Sequence, residues 1–229
     1  MATITGAARR RLLAGNRALM RTFEQVERYS QEWEAANQQA LVSTGPLWVV
    51  LGDSAALAVG ATGHDRGYVG LVRRALTDRD EMGWRVVNLA VSGARTRDVL
   101  NNQLPRLSQL PAPNLVTAVV GGNDLIGTPL RWWCDDVEAL GSALPARSVM
   151  ATVPQGFRQR KALRANAVIR EVATRHGHGL ADVWAMTGPP WRGAYADGMH
   201  PSGCGYRSWA TAVARAVGAD PVGPALFCR

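Results

Sequence analysis

The feature that most constrains this chain is an alternation. Five short apolar runs, Leu47–Leu51, Arg85–Val91, Leu115–Val120, Ser148–Val153 and Leu180–Trp184, are interleaved with helical patterns near 68–82, 97–108, 130–143 and 161–176, and a last helical pattern covers 204–217. The connections are too long for hairpins, and a crossover that carries its own helix returns the chain to a parallel neighbour. A parallel sheet is covered on both faces, which is why Leu47-Trp48-Val49-Val50-Leu51 can be apolar throughout instead of alternating. The expected fold is therefore α/β: a three-layer α/β/α domain around a flavodoxin-like five-stranded parallel sheet. Composition allows it, since 229 residues with 47% apolar and 19% charged side chains can bury one large core without a disulfide or structural metal.

Residues 7–40 read as one long amphipathic helix ahead of this domain. Leu12, Leu19, Phe23, Val26 and Trp33 keep to one stripe, while Arg10, Arg17, Arg21, Glu24, Arg28 and Glu32 take the other face. Ser43-Thr44-Gly45-Pro46 ends the pattern. The chain thus divides into an N-terminal helical extension (1–45), the α/β domain (46–217) and a C-terminal tail (218–229). The stripe is expected to dock on the domain; the alternative is pairing with the same helix of a second copy, giving a homodimer. Arg9, Arg10, Arg11, Asn16 and Arg17 interrupt the first twenty residues, so no apolar export segment forms, and no stretch reaches the roughly 20 apolar residues of a membrane span. A cytoplasmic protein without stable membrane insertion is expected. Cys134, Cys204 and Cys228 are odd in number, widely spaced and lack C-x-x-C pairing, so incidental thiols are expected rather than a disulfide framework or a zinc site.

In parallel sheets ligands gather beyond the carboxyl ends of the strands. Gly52-Asp53-Ser54 follows the first run, Ser92-Gly93-Ala94 the second and Gly121-Gly122-Asn123-Asp124 the third, with Asp197-Gly198-Met199-His200-Pro201 near the C-terminus. A serine becomes a nucleophile when a histidine takes its proton and a carboxylate orients that histidine. Ser54, His200 and Asp197 supply those three types. Asp197 precedes His200 by three residues, so one loop can hold both, with the carboxylate on Nδ1 and Nε2 turned to Ser54. The oxyanion of an acyl intermediate needs donors, and the candidates are the backbone N–H groups of Ser54 and Gly93 and the side-chain amide of Asn123. Asp53 and Asp124 are expected to bond loop amides near the site, and Asn88 and Thr96 to brace the second loop. Taken singly, Ser54 reads better as a helix N-cap than as a nucleophile.

These four blocks, in this order, resemble the SGNH hydrolases, also called the GDSL lipase/esterase family. Gly52-Asp53-Ser54 matches the nucleophile block, Gly93 the second, Gly121-x-Asn123-Asp124 the third and Asp197-x-x-His200-Pro201 the last. The resemblance spans about 46–217. It implies acyl-ester chemistry without a cofactor or metal: Ser54 as nucleophile, His200 as base, Asp197 as orienting carboxylate, and Ser54, Gly93 and Asn123 as the oxyanion hole. Ala55 stands where the family often has Leu, and the second block lacks an earlier Gly; both changes bear on the shape of the acyl pocket.

The substrate is less constrained. Trp132, Trp133 and Trp191 follow strand ends, where indoles can wall an acyl channel or stack on a sugar, although core packing is the commoner use. Much of the net charge of +8 sits in 155–178, where Arg158, Arg160, Lys161, Arg164, Arg170 and Arg175 oppose Glu171 alone. Arg158, Arg160 and Arg164 are candidates to hold an anionic substrate such as the phosphates of an acyl-CoA; a solvated helix face is the plainer reading. Phe157 is the only aromatic of that stretch, and no nucleic-acid module is present. His64, His176 and His178 share no metal spacing with a carboxylate. The leading expectation is an esterase or thioesterase acting on a small acyl ester. The alternatives are acyl transfer to a sugar hydroxyl by the same residues and a non-catalytic binding domain.

Overall fold

The computed structural model describes residues 17–220. Leu12, Arg10, Cys228 and most of the expected tail lie outside the described residues, as do the side chains of Arg17 and Leu19. Five strands, β1 (Leu47–Gly52), β2 (Arg85–Asn88), β3 (Leu115–Val119), β4 (Val149–Ala151) and β5 (Gly179–Ala181), form one wholly parallel sheet in the order β2-β1-β3-β4-β5. This is the expected flavodoxin-like arrangement. The principal helices are α1 (Arg17–Val42), α2 (Tyr68–Asp80), α3 (Gly122–Gly127), α4 (Leu130–Ala143), α5 (Gln159–Arg175) and α6 (Gly203–Ala216).

The central strand shows why its run lacks alternation. Trp48 and Val50 enter the core beneath α1, α2 and α6, while Leu47, Val49 and Leu51 enter the core beneath α4 and α5, and all six residues of β1 are buried. Helix α1 docks on its own chain. Tyr29, Trp33 and Ala40 are buried, Val26 is partly buried against them, and Asn37 exchanges hydrogen bonds with the backbone of Asn88, donating to its O (2.9 Å) and accepting from its N (2.7 Å). The stripe therefore includes two polar-bearing residues, Tyr29 and Asn37, that an apolar pattern does not mark.

Several boundaries differ from expectation, and three of the differences have a local reason. The run ending at Val91 leaves strand geometry at Asn88, whose side chain accepts from Ala90 N (3.1 Å), although Leu89 N still reaches Val50 O. The run ending at Trp184 stops at Ala181, because Asp182 caps a helical turn, Val183–Met186, by accepting from Ala185 N (3.1 Å). The pattern at 97–108 is not one α-helix. It passes from an α-turn (Thr96–Asp98) through a widened turn (Val99–Gln103) to a tight one (Leu104–Gln109), where Pro105 supplies no N–H to continue an α-helical ladder. That irregularity has a use: Gln103 is buried and bonds both backbone groups of Gly52, accepting from N (2.9 Å) and donating to O (2.8 Å) at the end of β1.

Candidate active site

Residues from four loops meet above the carboxyl edge of the sheet. Asp53 and Ser54 leave β1 and enter a helical turn in which Ser54 O accepts from Val59 N (3.1 Å). Gly93 sits in the turn after β2 with φ +82°, a backbone conformation that a side chain disfavours. Asn123 lies in the first turn of α3, after β3.

The fourth loop is built around its carboxylate. Asp197 Oδ1 accepts from the backbone N–H groups of Met199 (3.0 Å) and His200 (2.8 Å), and Oδ2 lies 2.7 Å from His200 Nδ1. Burial alone would raise the Asp197 pKa, but the hydrogen bonds from His200 and Met199 outweigh it and bring the carboxyl down to about 2. Asp197 is thus ionised at neutral pH, and its contact with Nδ1 leaves Nε2 as the ring nitrogen turned away from it. The loop closes on itself through Ala196 N to His200 O (2.8 Å), and it rests on Gly60. A Cβ at Gly60 would stand 2.3 Å from Pro201 O and 3.1 Å from His200 Cβ, and the residue has φ +96°.

The expected oxyanion donors are present with different degrees of freedom. The N–H groups of Ser54 and Gly93 donate to no acceptor among the described residues. Asn123 Nδ2 donates to Ala94 O at 2.9 Å and stands 3.4 Å from Asp53 Oδ2. Its second N–H therefore faces a long, weak contact that a developing oxyanion can replace. Ser54 Oγ makes no hydrogen bond to a described residue, His200 included.

The acidic residues beside the site differ sharply in role. Asp124 is fully buried; Oδ2 accepts from Thr96 N (2.9 Å) and Thr96 Oγ1 (3.0 Å), and Oδ1 accepts from Thr128 Oγ1 (2.7 Å), which locks the second and third loops together. Asn88 braces the turn after Ser54 by donating to Ala56 O (2.9 Å). Asp53 accepts from Ala55 N (2.9 Å) but is otherwise enclosed, and burial pushes its carboxyl up to about 6; the Ala55 N–H and the charge of His200 pull it down, and Asp124 pushes it up. Burial, and then the charge of Asp53, hold the phenols of Tyr68 and Tyr206 well above their ordinary range.

A cavity of about 540 Å³ opens on Ser54 and Asn123, with walls that include Leu125, Ile126, Phe157, Trp191, Met199 and Trp209. Ile126, Phe157, Trp191 and Met199 are large apolar side chains left exposed, so the mouth as well as the interior is apolar. Of the expected tryptophans, Trp191 lines this cavity. Trp132 is half-exposed beneath Arg131 and away from the cavity, whereas Trp133 is a correction: it is completely buried, its Nε1 donates to Thr96 Oγ1 (3.0 Å), and no ligand can reach its ring. Gly121 and Lys161 lie against that ring.

The basic segment is partly used internally. Lys161 Nζ donates to the carbonyls of Asp124 (2.6 Å), Leu125 (3.1 Å) and Thr128, Arg170 pairs with Asp182 (3.0 Å), and Arg175 pairs with Glu138 (2.7 Å) and Glu171. Arg158, Arg160 and Arg164 are exposed and make no ion pair with a described carboxylate. Arg158 lies over Phe157, which lines the cavity, but none of Arg158, Arg160 and Arg164 lines it itself, and Arg160 and Arg164 lie farther along α5. Cys204 is disulfide-bonded, which corrects the expectation of an incidental thiol, and Cys134 is free. Among the described residues no helix is long and apolar enough to cross a membrane.

Fold and site define a hydrolase of the serine-esterase type. Residues 50–208 match the GDSL-like lipase/acylhydrolase family, and the chain belongs to it. Solved structures share the fold. TesA superposes with a TM-score of 0.64 at 24% identity over 75% of this chain and 97% of its own. An α/β hydrolase from the metagenome of Lake Arreo, Spain, gives 0.63 at 23% over 78% and 98%, and the acetylxylan esterase of Geobacillus stearothermophilus gives 0.62 at 21% over 80% and 99%. No protein of curated function matches the chain.

Proposed function

We propose that the chain hydrolyses esters of apolar acyl groups through a Ser54–His200–Asp197 triad and an acyl-enzyme. The observation that carries this reading is the hydrogen-bonded Asp197–His200 pair on a loop bordering the same apolar cavity that Ser54 and Asn123 line. Ser54 Oγ attacks the acyl carbonyl carbon as His200 Nε2 takes its proton, and Asp197 steadies the imidazolium through Nδ1–H. The oxyanion takes the N–H groups of Ser54 and Gly93 and the second N–H of Asn123, displacing the contact to Asp53. Collapse releases the alcohol or thiol with the proton from Nε2. Water then attacks the acyl-Ser54 ester, giving its proton to Nε2, and collapse breaks the acyl–Oγ bond as Nε2 returns that proton to Ser54 Oγ and the acid leaves. Typical ligand pockets occupy roughly 300–1,000 Å³, and a cavity of about 540 Å³ with aromatic and aliphatic walls suits a small to medium apolar acyl group.

The test is a series of p-nitrophenyl esters and acyl-CoAs of graded acyl length, with product analysis in the presence of sugar acceptors. Hydrolysis rising with acyl length to an optimum and yielding free acid is the expected result. An acylated sugar as the main product would assign the same residues to acyl transfer, and no turnover of any ester would refute the reading.

A further inference from the structure

We infer that helix α1, which precedes the family-matched residues 50–208, is a working part of the acid–base apparatus, with Thr22 the positioning residue of Asp197. The inference rests on the triad reading above. Thr22 Oγ1 donates to Asp197 Oδ2 at 3.0 Å, and that oxygen is the one 2.7 Å from His200 Nδ1. Two backbone N–H groups of its own loop hold Oδ1, so the loop fixes one carboxylate oxygen and α1 fixes the other.

The same face of the helix grips the floor of that loop. One turn on, Gln25 Oε1 accepts from Gly60 N (2.7 Å) and Nε2 donates to Ala61 O (2.7 Å), while Tyr29 OH also donates to Ala61 O (2.9 Å). Gly60 is the residue on which Pro201 and His200 pack. Thr22, Gln25 and Tyr29 are spaced three and four apart, so they share one side of α1, and the buried Tyr29 and Trp33 anchor the helix to the domain. A hydroxyl held on such an element restrains Oδ2, the oxygen that meets His200 Nδ1, which the backbone donors on Oδ1 do not touch.

The test uses the full chain and the second-order rate constant for phosphonylation by a fluorophosphonate, which needs no knowledge of the natural ester. Thr22→Val keeps shape and removes the donor; Thr22→Ser keeps the donor. Thr22→Val is expected to slow phosphonylation about fivefold to tenfold, the size of one ordinary hydrogen bond, because the Thr22–Asp197 contact is exposed. Thr22→Ser restores the rate, and both variants melt with the wild type. In an Asp197→Ala background Thr22→Val changes the rate less than twofold, because no carboxylate remains to be held. Wild-type rates for Thr22→Val, or equal slowing in both backgrounds, would overturn the inference. Ser54→Ala distinguishes the two failures: if it is still labelled, the triad reading falls and the inference with it, whereas an unlabelled Ser54→Ala beside a fully reactive Thr22→Val removes the inference alone.

Discussion

Asp53, the residue between the last glycine of β1 and the nucleophile, predicts a pH dependence of stability that its replacement by Asn should erase. Its carboxyl is raised from 3.8 to about 6, chiefly by burial. A folded-state value above the unfolded one favours the protonated form, so Asp53 contributes its full stability below about pH 3.8 and loses it as the pH rises through about 6. At about 1.4 kcal/mol per pH unit, the rise corresponds to about 3 kcal/mol. Urea unfolding at pH 4 and pH 7.5 should therefore show the wild type losing about 2–3 kcal/mol relative to Asp53→Asn between the two conditions. Asp197 works in the opposite sense: its lowered carboxyl contributes above the unfolded value and loses that contribution as the pH falls towards about 2. It is present in both proteins and cancels in the double difference. Parallel pH profiles for wild type and Asp53→Asn would refute the reasoning, because they would mean that Asp53 is ionised in the fold at no cost.

Removing the amide of Asn123 (Asn123→Ala) should lower turnover about 10²–10³-fold, or about 2.7–4 kcal/mol, with a much smaller change in KM, measured on the best p-nitrophenyl ester. Neutralising Arg158, Arg160 and Arg164 together should raise KM for an acyl-CoA and leave an uncharged ester unchanged, because these three cations make no ion pair with a described carboxylate; equal effects on both substrates would reject phosphate recognition.

The sheet was legible because burial on both faces writes itself into a strand as an unbroken apolar run, and β1 kept its full predicted length. The placing of Ser54, Gly93 and Asn123 beyond the sheet was legible because each follows a strand, and the pairing of Asp197 with His200 because they stand three residues apart on one loop. What escaped was long-range. Thr22 meets Asp197 across 175 residues and Gln25 meets Gly60 across 35, and a hydropathy stripe marks neither, because both are polar side chains on a docked face. Trp133 and Trp191 read alike in sequence; only the packing of Trp133 beneath Thr96 and beside Gly121 separates a core indole from a cavity wall. The capped turn after β5 was missed because Asp182 acts as a cap only where its carboxylate meets Ala185 N, and Val183 and Trp184 suit a strand equally well.

The central claim is that Ser54 is the nucleophile, and the most direct measurement is the site of covalent capture. Wild-type protein treated with a fluorophosphonate and digested should carry the adduct on the peptide containing Ser54, and Ser54→Ala should carry none and hydrolyse no ester above background. An adduct on another side chain, or ester turnover that survives Ser54→Ala, would contradict the account.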